Sequence, residues 1–306
     1  MKKSLLQGFL ISFMGAIFLS TKAIFVKLAL RSGHTDGVTL LALRMLVSLP
    51  FYAVTAFWIS RRKDNVRMNA RQWTWVVVLG LLGYYLSSLF DFIGLQYISA
   101  GLERLILFLY PSFSVLINSL AFRQRITRTQ YLALALTYTG IGIAYFGELR
   151  IDTGNAYFYW GSLLVFLCAV TYAIYLSGMG RVVPSLGASK FTSYSMLAAI
   201  PAVLLHYVVR QAATGTPLLP AGPYAGALWG YGLALAVVAT VIHSYLISTG
   251  MKRIGANNAA IVTSIGPVST ILQAHFFLGE KIFAEQIIGT VLVIIGVLLV
   301  GWKANK

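Results

Sequence analysis

Acid is what this sequence lacks. Only eight Asp and Glu stand against twenty-four Lys and Arg in 306 residues, and charge of both signs makes up 10% of the chain, where a soluble domain carries about a quarter. So little charge excludes an ordinary water-facing surface. A single cysteine, Cys168, lies inside an apolar run, which excludes an internal disulfide and a cysteine-built metal cluster. No Walker-type P-loop, GxGxxG, HExxH or Cys/His metal pattern occurs, which argues against an ATP-driven pump, metal-assisted chemistry and a bound cofactor. Long polar stretches are missing as well, so no separate soluble domain fits.

What is present is apolar: 58% of the residues are hydrophobic and the mean hydropathy is +0.78. A bilayer core roughly 30 Å thick needs about 20 mainly apolar helical residues. Ten segments qualify, at approximately 5–30, 38–60, 73–97, 101–121, 130–147, 158–180, 190–209, 225–250, 256–278 and 284–302. The fold expected is an all-α integral membrane protein with ten transmembrane helices. The opening stretch, MKKSLLQGFLISFMGAIFLSTKAIFVKLAL, is too long for a signal-peptide core and has no small-x-small cleavage site, so it reads as a retained first span.

The net charge of +16 would suggest nucleic acid in a soluble protein, but its placement points elsewhere. With the N-terminus inside, sixteen basic residues fall on the cytoplasmic side, five on the other and three within spans. Cytoplasmic loops collect Lys and Arg. Both termini are therefore expected in the cytoplasm, in the cell inner membrane, with the lipid bilayer and not nucleic acid as the partner.

An internal repeat appears without gaps at an offset of 156. Gly94, Ile98, Ala100, Pro111, Leu116, Ile126, Gln130 and Gly140 match Gly250, Ile254, Ala256, Pro267, Leu272, Ile282, Gln286 and Gly296. Each half holds five spans, an odd number, so the second copy enters the membrane in the opposite sense. Two inverted five-helix repeats are a plan of secondary transporters, with the substrate site between the halves.

The stretch GMKRIGANNAAIVTSIGPVSTILQAHFFLGEKI followed by IIGTVLVIIGVLL, the first-half counterpart LQYISAGLERLILFLYPSFSVLI, and Arg44 in LLALRMLV resemble the EamA-type transporters of the drug/metabolite transporter (DMT) superfamily. The likeness covers roughly 8–147 and 158–301. It implies a ten-span carrier whose fourth and ninth helices bend at Pro111 and Pro267 beside a central cavity. It also implies a small metabolite as substrate, moved mostly outward, without naming one. One departure stands out: Glu280 of LGEKI is matched by Gln124 of FRQRI.

Ionisable side chains within a span cost several kcal/mol and turn toward a cavity or a partner. At 1.5 Å per residue, Lys22, Arg44 and Asp91 sit roughly 9 to 12 Å below the outer edge, with Glu103 and Arg104 slightly shallower. These five charges share one layer. The bland reading is an ion bridge from Lys22 or Arg44 to Asp91, with Glu103 and Arg104 snorkelling to the interface. The functional reading starts from the sum, three positive against two negative, which a bound anion would balance; Asp91 or Glu103 could also carry protons. In the second half Asp91, Glu103 and Arg104 map onto the neutral Ile247, Ala259 and Ala260.

Weaker candidates are His243 and Gln273, which more often bond a neighbouring helix than a ligand, and Tyr110, which with Tyr84 and Tyr85 could stack on a substrate. Pro111 and Pro267 are hinge or cavity-lining candidates against a reading as static kinks. The function expected is secondary transport of a small metabolite by alternating access, with export of an amino acid or other anion-bearing metabolite. The alternatives are a membrane-embedded enzyme and a non-transporting membrane subunit.

Overall fold

The computed structural model describes residues 2–62, 67–122, 126–151, 154–254 and 262–302. Among the described residues there is no strand. The helices are α1 (Lys2–Arg31), α2 (Gly37–Ser60), α3 (Ala70–Gly94), α4 (Ala100–Leu107 and Tyr110–Phe122), α5 (Arg128–Ile151), α6 (Phe158–Leu186) and α7 (Ala188–Thr214). They continue with α8 (Ala225–Ala236, Val237–Ile242 and His243–Ile254), α9 (Gly266–Gln273 and Ala274–Leu278) and α10 (Ala284–Trp302).

Their starts follow from local chemistry. Asp36 caps α2 by accepting from Val38 N–H at 2.9 Å and Thr39 N–H at 3.0 Å, and Asn69 with Gln72 forms a reciprocal capping box at α3. Each satisfies donors that the first helical turn leaves open.

Among the described residues eight helices, α1 to α8, are long and apolar enough to cross a membrane, where the sequence led to an expectation of ten. The apolar stretch described in α10 is the shorter Ala284–Leu299, and α9 is described over Gly266–Leu278, after a break at Ser264–Ile265. Residues 255–261, just before it, lie outside the described set, as do Gln124, Ala256, Ala259 and Ala260 of the repeat pairing.

The first half (α1–α5) and the second (α6–α10) pack in a pattern that maps onto itself when they are exchanged. Helix α1 lies on α8 and α9, as α6 lies on α3 and α4; α2 lies on α7, α4 on α9 and α5 on α10. Two pairs of backbone irregularities obey the same exchange, while a third π-helical stretch, Ala274–Leu278 of α9, falls opposite regular helix at 118–122. A π-helical stretch in α3, Leu81–Leu86, lies 156 residues before its counterpart in α8, Val237–Ile242. The break in α4 at Phe108–Leu109 likewise precedes the Ser264–Ile265 break by 156.

Small residues make the closest helix contacts, as expected where lipid removes the hydrophobic drive between helices. A Cβ on Gly140 of α5 would lie 2.6 Å from the Gly289 carbonyl of α10, and one on Gly296 would lie 2.8 Å from the Ala133 carbonyl. Gly94 meets Gly161 on α6, as Gly250 meets Gly8 on α1. The outer face of the bundle is apolar: Trp58, Leu132, Phe146, Trp160, Leu205, Phe276 and Ile287 are all exposed. Polar contacts gather instead at the end formed by the α1–α2, α3–α4 and α9–α10 connections, where Arg210 holds Asp36 at 2.9 Å and Arg31 donates to the Leu278 carbonyl.

Candidate functional site

Lys22 projects from the later half of α1 into a space closed by the last turn of α3 and the first turns of α4. Its Nζ lies 2.6 Å from Asp91 Oδ2 and 3.4 Å from Glu103 Oε1. One ammonium thus serves two carboxylates. All three are enclosed, with side-chain exposures of 12% for Lys22, 3% for Asp91 and 0% for Glu103. The remaining carboxylate oxygens, Asp91 Oδ1 and Glu103 Oε2, meet no N–H or hydroxyl donor among the described residues, and the two carboxyl groups lie within hydrogen-bond reach of each other. Beside them Cys168 Sγ lies 3.2 Å from Ser87 Oγ.

The two arginines behave differently from each other. Arg44 donates to Ser88 Oγ at 3.0 Å and lies over the Phe92 ring at 5.0 Å. It pairs with no carboxylate within ion-pair distance among the described residues. Arg104 lies over Phe108 at 5.3 Å and presses its guanidinium against Gly266 of α9, where an added Cβ would come within 2.7 Å of Nη2. No ion pair or hydrogen bond of Arg104 is found among the described residues. Glu103 and Arg104 are 0% and 4% exposed, which corrects the snorkelling reading: α4 points them inward because its first turn is covered on every side by α1, α5, α6 and α9.

The structure therefore brings Lys22, Asp91, Glu103, Arg44 and Arg104 into one buried region where the halves meet. By formal count, with both acids ionised, Lys22 and its two acids sum to one negative charge, and the arginines add two positive. An unpaired charge in such surroundings is expensive. A ligand anion at Arg104 would complete the balance.

Beside the charged layer, joined to it through Phe108, whose ring lies 5.9 Å from Tyr110 and under Arg104, stands a row of aromatic rings. Tyr110 meets Tyr172 edge-on at 5.2 Å, Tyr172 stacks toward Tyr175 at 5.8 Å, and the Tyr175 and Tyr84 hydroxyls are 2.8 Å apart. Tyr110 and Tyr84 stood out in the sequence; Tyr172 and Tyr175 did not. Tyr85 belongs elsewhere, with His206 Nδ1 at 3.0 Å.

His243 and Gln273 are not part of the layer. His243 Nδ1 lies 2.9 Å from the Gly15 carbonyl, while Gln273 donates to Ser269 Oγ at 2.9 Å and to the Ile17 carbonyl at 3.4 Å. Both fasten α1 to the second half. Pro111 and Pro267 sit at the second residue of a restarted helix, just after the two matched breaks. A proline there removes a donor that the first turn would leave open in any case, so it fixes where the rod resumes.

Two carboxylates that the sequence gave no cause to single out as site residues hold the start of α4. Glu148 of α5 accepts from Ser99 N–H at 3.2 Å and Ser99 Oγ–H at 2.7 Å. Glu280 accepts from Ala100 N–H at 3.1 Å and Gly101 N–H at 3.4 Å. The only signal was the unmatched Glu280/Gln124 pair; nothing marked Glu148.

Comparison with known proteins fits this architecture. The protein named Uncharacterized transporter YcbK, from Bacillus subtilis (strain 168), is 29% identical over 284 residues, which cover 92% of this chain and 88% of that one. An Uncharacterized transporter of Archaeoglobus fulgidus (strain ATCC 49558 / DSM 4304 / JCM 9628 / NBRC 100126 / VC-16) is 22% identical over 98% of this chain and 99% of its own. A solved chain called only "Crystal structure of protein" superposes with a TM-score of 0.62 at 18% identity, covering 98% of this chain and 99% of that one; this likeness concerns the fold alone. The family described as EamA-like transporter matches at residues 6–146 and again at 159–302. With nearly its whole length matched in this way, the chain belongs to the EamA-like transporter family and is a multi-pass membrane transporter.

Proposed function

We propose that this transporter is a secondary carrier that exports a small anion-bearing metabolite, such as an amino acid, by alternating access between two inverted five-helix repeats. The observation that supports the substrate class is Arg104: an enclosed guanidinium with no acceptor among the described residues, placed where the first half meets Gly266 of the second. A carboxylate or phosphate would accept from it in a charge-assisted bond. Asp91 and Glu103, each with one oxygen that meets no N–H or hydroxyl donor among the described residues, are the groups proposed to couple protons.

The ten-span topology is supported by the exchange symmetry of contacts, π-helical stretches and breaks, which pairs the short α9 and α10 with the full-length α4 and α5. The asymmetry of the basic residues supports an inner-membrane placement with both termini in the cytoplasm. A reporter fused after residue 306 is expected to read as cytoplasmic and one after residue 154 as periplasmic. A periplasmic C-terminus would overturn this topology.

The function itself is tested in two steps. Strains lacking or overproducing the protein are screened against amino acids and phosphorylated metabolites, and the anion that changes growth is then loaded into proteoliposomes. Efflux faster than from protein-free vesicles, and trans-stimulated by the same anion, is expected. If no anion in the panel moves, the anion-bearing substrate class is overturned.

A further inference from the structure

The first N–H groups of a helix have no partner inside the helix and face the positive end of its dipole. At the start of α4 they are all engaged: Ser99 N–H by Glu148, Ala100 N–H and Gly101 N–H by Glu280, and Leu102 N–H by Ser99 Oγ at 3.0 Å. Two of these four bonds cross from the first half of the chain to the second. Glu280 is itself held for the purpose. Gly279 takes a left-handed φ of +66° that turns the chain back, Glu280 N–H donates to the Ala274 carbonyl at 3.2 Å, and the Glu280 carbonyl lies 2.9 Å from His275 Nδ1.

What this grip controls follows from position. Glu103 and Arg104 are the fourth and fifth residues of α4 counted from Ala100. A carboxylate that holds the first two residues of a helix therefore also sets where the next turn lies. The sequence adds an asymmetry. The position 156 residues earlier carries Gln124, whose neutral amide oxygen accepts more weakly than a carboxylate.

We infer that Glu280 is a positioning residue: it latches the start of α4, and with it Glu103 and Arg104, to the second half, and its release opens the buried layer toward the outer end. This rests on the alternating-access reading above.

The experiment uses the chain's single cysteine as its reporter. Cys168 is 2% exposed and lies beside Ser87, one turn from Asp91. Its modification by a membrane-impermeant maleimide is timed from the outside in spheroplasts, with no substrate present. Glu280→Gln is expected to speed labelling about tenfold, the factor that roughly 1.4 kcal/mol corresponds to. Ala100→Pro removes one latch donor from the other side, at a helix position that accepts proline, and is expected to do the same. Glu285→Gln should label at the parental rate. In flux assays Glu280→Gln should weaken apparent affinity for substrate on the inner side more than it lowers the maximal rate, and Glu280→Asp should recover part of the loss. If Glu280→Gln does not fold, Ala100→Pro decides. Parental labelling in a folded Glu280→Gln or Ala100→Pro protein overturns the latch, whatever the flux. Faster labelling in a protein that moves no anion keeps the latch and removes the anion-bearing substrate class instead.

Discussion

Lys22→Gln is expected to abolish transport and to lower folded yield more than any other single change in the buried layer. Breaking a buried ion pair by removing one partner costs roughly 3 to 5 kcal/mol, because the other charge is left without compensation. Lys22 neutralises Asp91 at 2.6 Å and Glu103 at 3.4 Å, so its loss strands two carboxylates at once. Asp91→Asn is milder, since Lys22 keeps Glu103. The double variant Lys22→Gln/Asp91→Asn still leaves Glu103 alone and stays unstable. Only Lys22→Gln/Asp91→Asn/Glu103→Gln removes every charge of the triad, and its thermal midpoint in detergent should return toward the parental value while flux stays absent. Recovery of flux in that triple variant would show the triad to be a structural bridge and nothing more.

Arg104→Gln should have the opposite signature, with transport lost and stability kept or raised. The guanidinium is 4% exposed and its Nε has no hydrogen-bond partner among the described residues, so its removal strands no pair and relieves the burial of a charge. If it accepts the substrate anion, its loss takes away about 1.5 to 3 kcal/mol of binding, or roughly 10- to 150-fold in apparent affinity. Flux at several substrate concentrations, set beside thermal unfolding of the same preparations, checks both halves of the expectation. A destabilised Arg104→Gln protein with parental affinity would place Arg104 in the scaffold.

The two results separate because depth in a bilayer can be counted along a sequence and direction around a helix cannot. A rise of 1.5 Å per residue was enough to put Lys22, Arg44, Asp91, Glu103 and Arg104 at one level. Which of them touch depends on the rotation of three helices against one another. A bridge to Asp91 was legible, but the choice of Lys22 over Arg44 as its partner, the second carboxylate of Glu103 on the same ammonium, and the diversion of Arg44 to Ser88 were out of reach. The repeat offset was legible in side chains, and it turned out to extend to part of the backbone, since the π-helical stretches of α3 and α8 and both breaks obey it, though the stretch at Ala274–Leu278 does not. Those irregularities left no mark of their own: LLGYYL and VVATVI are ordinary apolar helix sequence. Glu148 escaped notice, and Glu280 stood out only as a mismatch in the repeat, because their partners are backbone N–H groups, which every residue but proline carries.

The π-helical stretches and the breaks have a mechanical consequence. A rod bends where its regular i to i−4 ladder is interrupted, and α3, α4 and α8 are each interrupted partway along, with the Ser264–Ile265 break at the head of α9. Four of the irregularities match across the halves at the offset of 156 residues, α3 with α8 and α4 with α9, and α9 adds a further π-helical stretch at Ala274–Leu278 that has no counterpart, whereas α5 and α10 run uninterrupted and lie backbone to backbone at Gly140 and Gly289. The bundle is thus built like a frame in which one stiff post of two helices stands beside four jointed members. A load applied at either end is taken up at the joints before it can slide one helix past another, so the stroke is set by the backbone and the side chains are left to decide what the stroke carries.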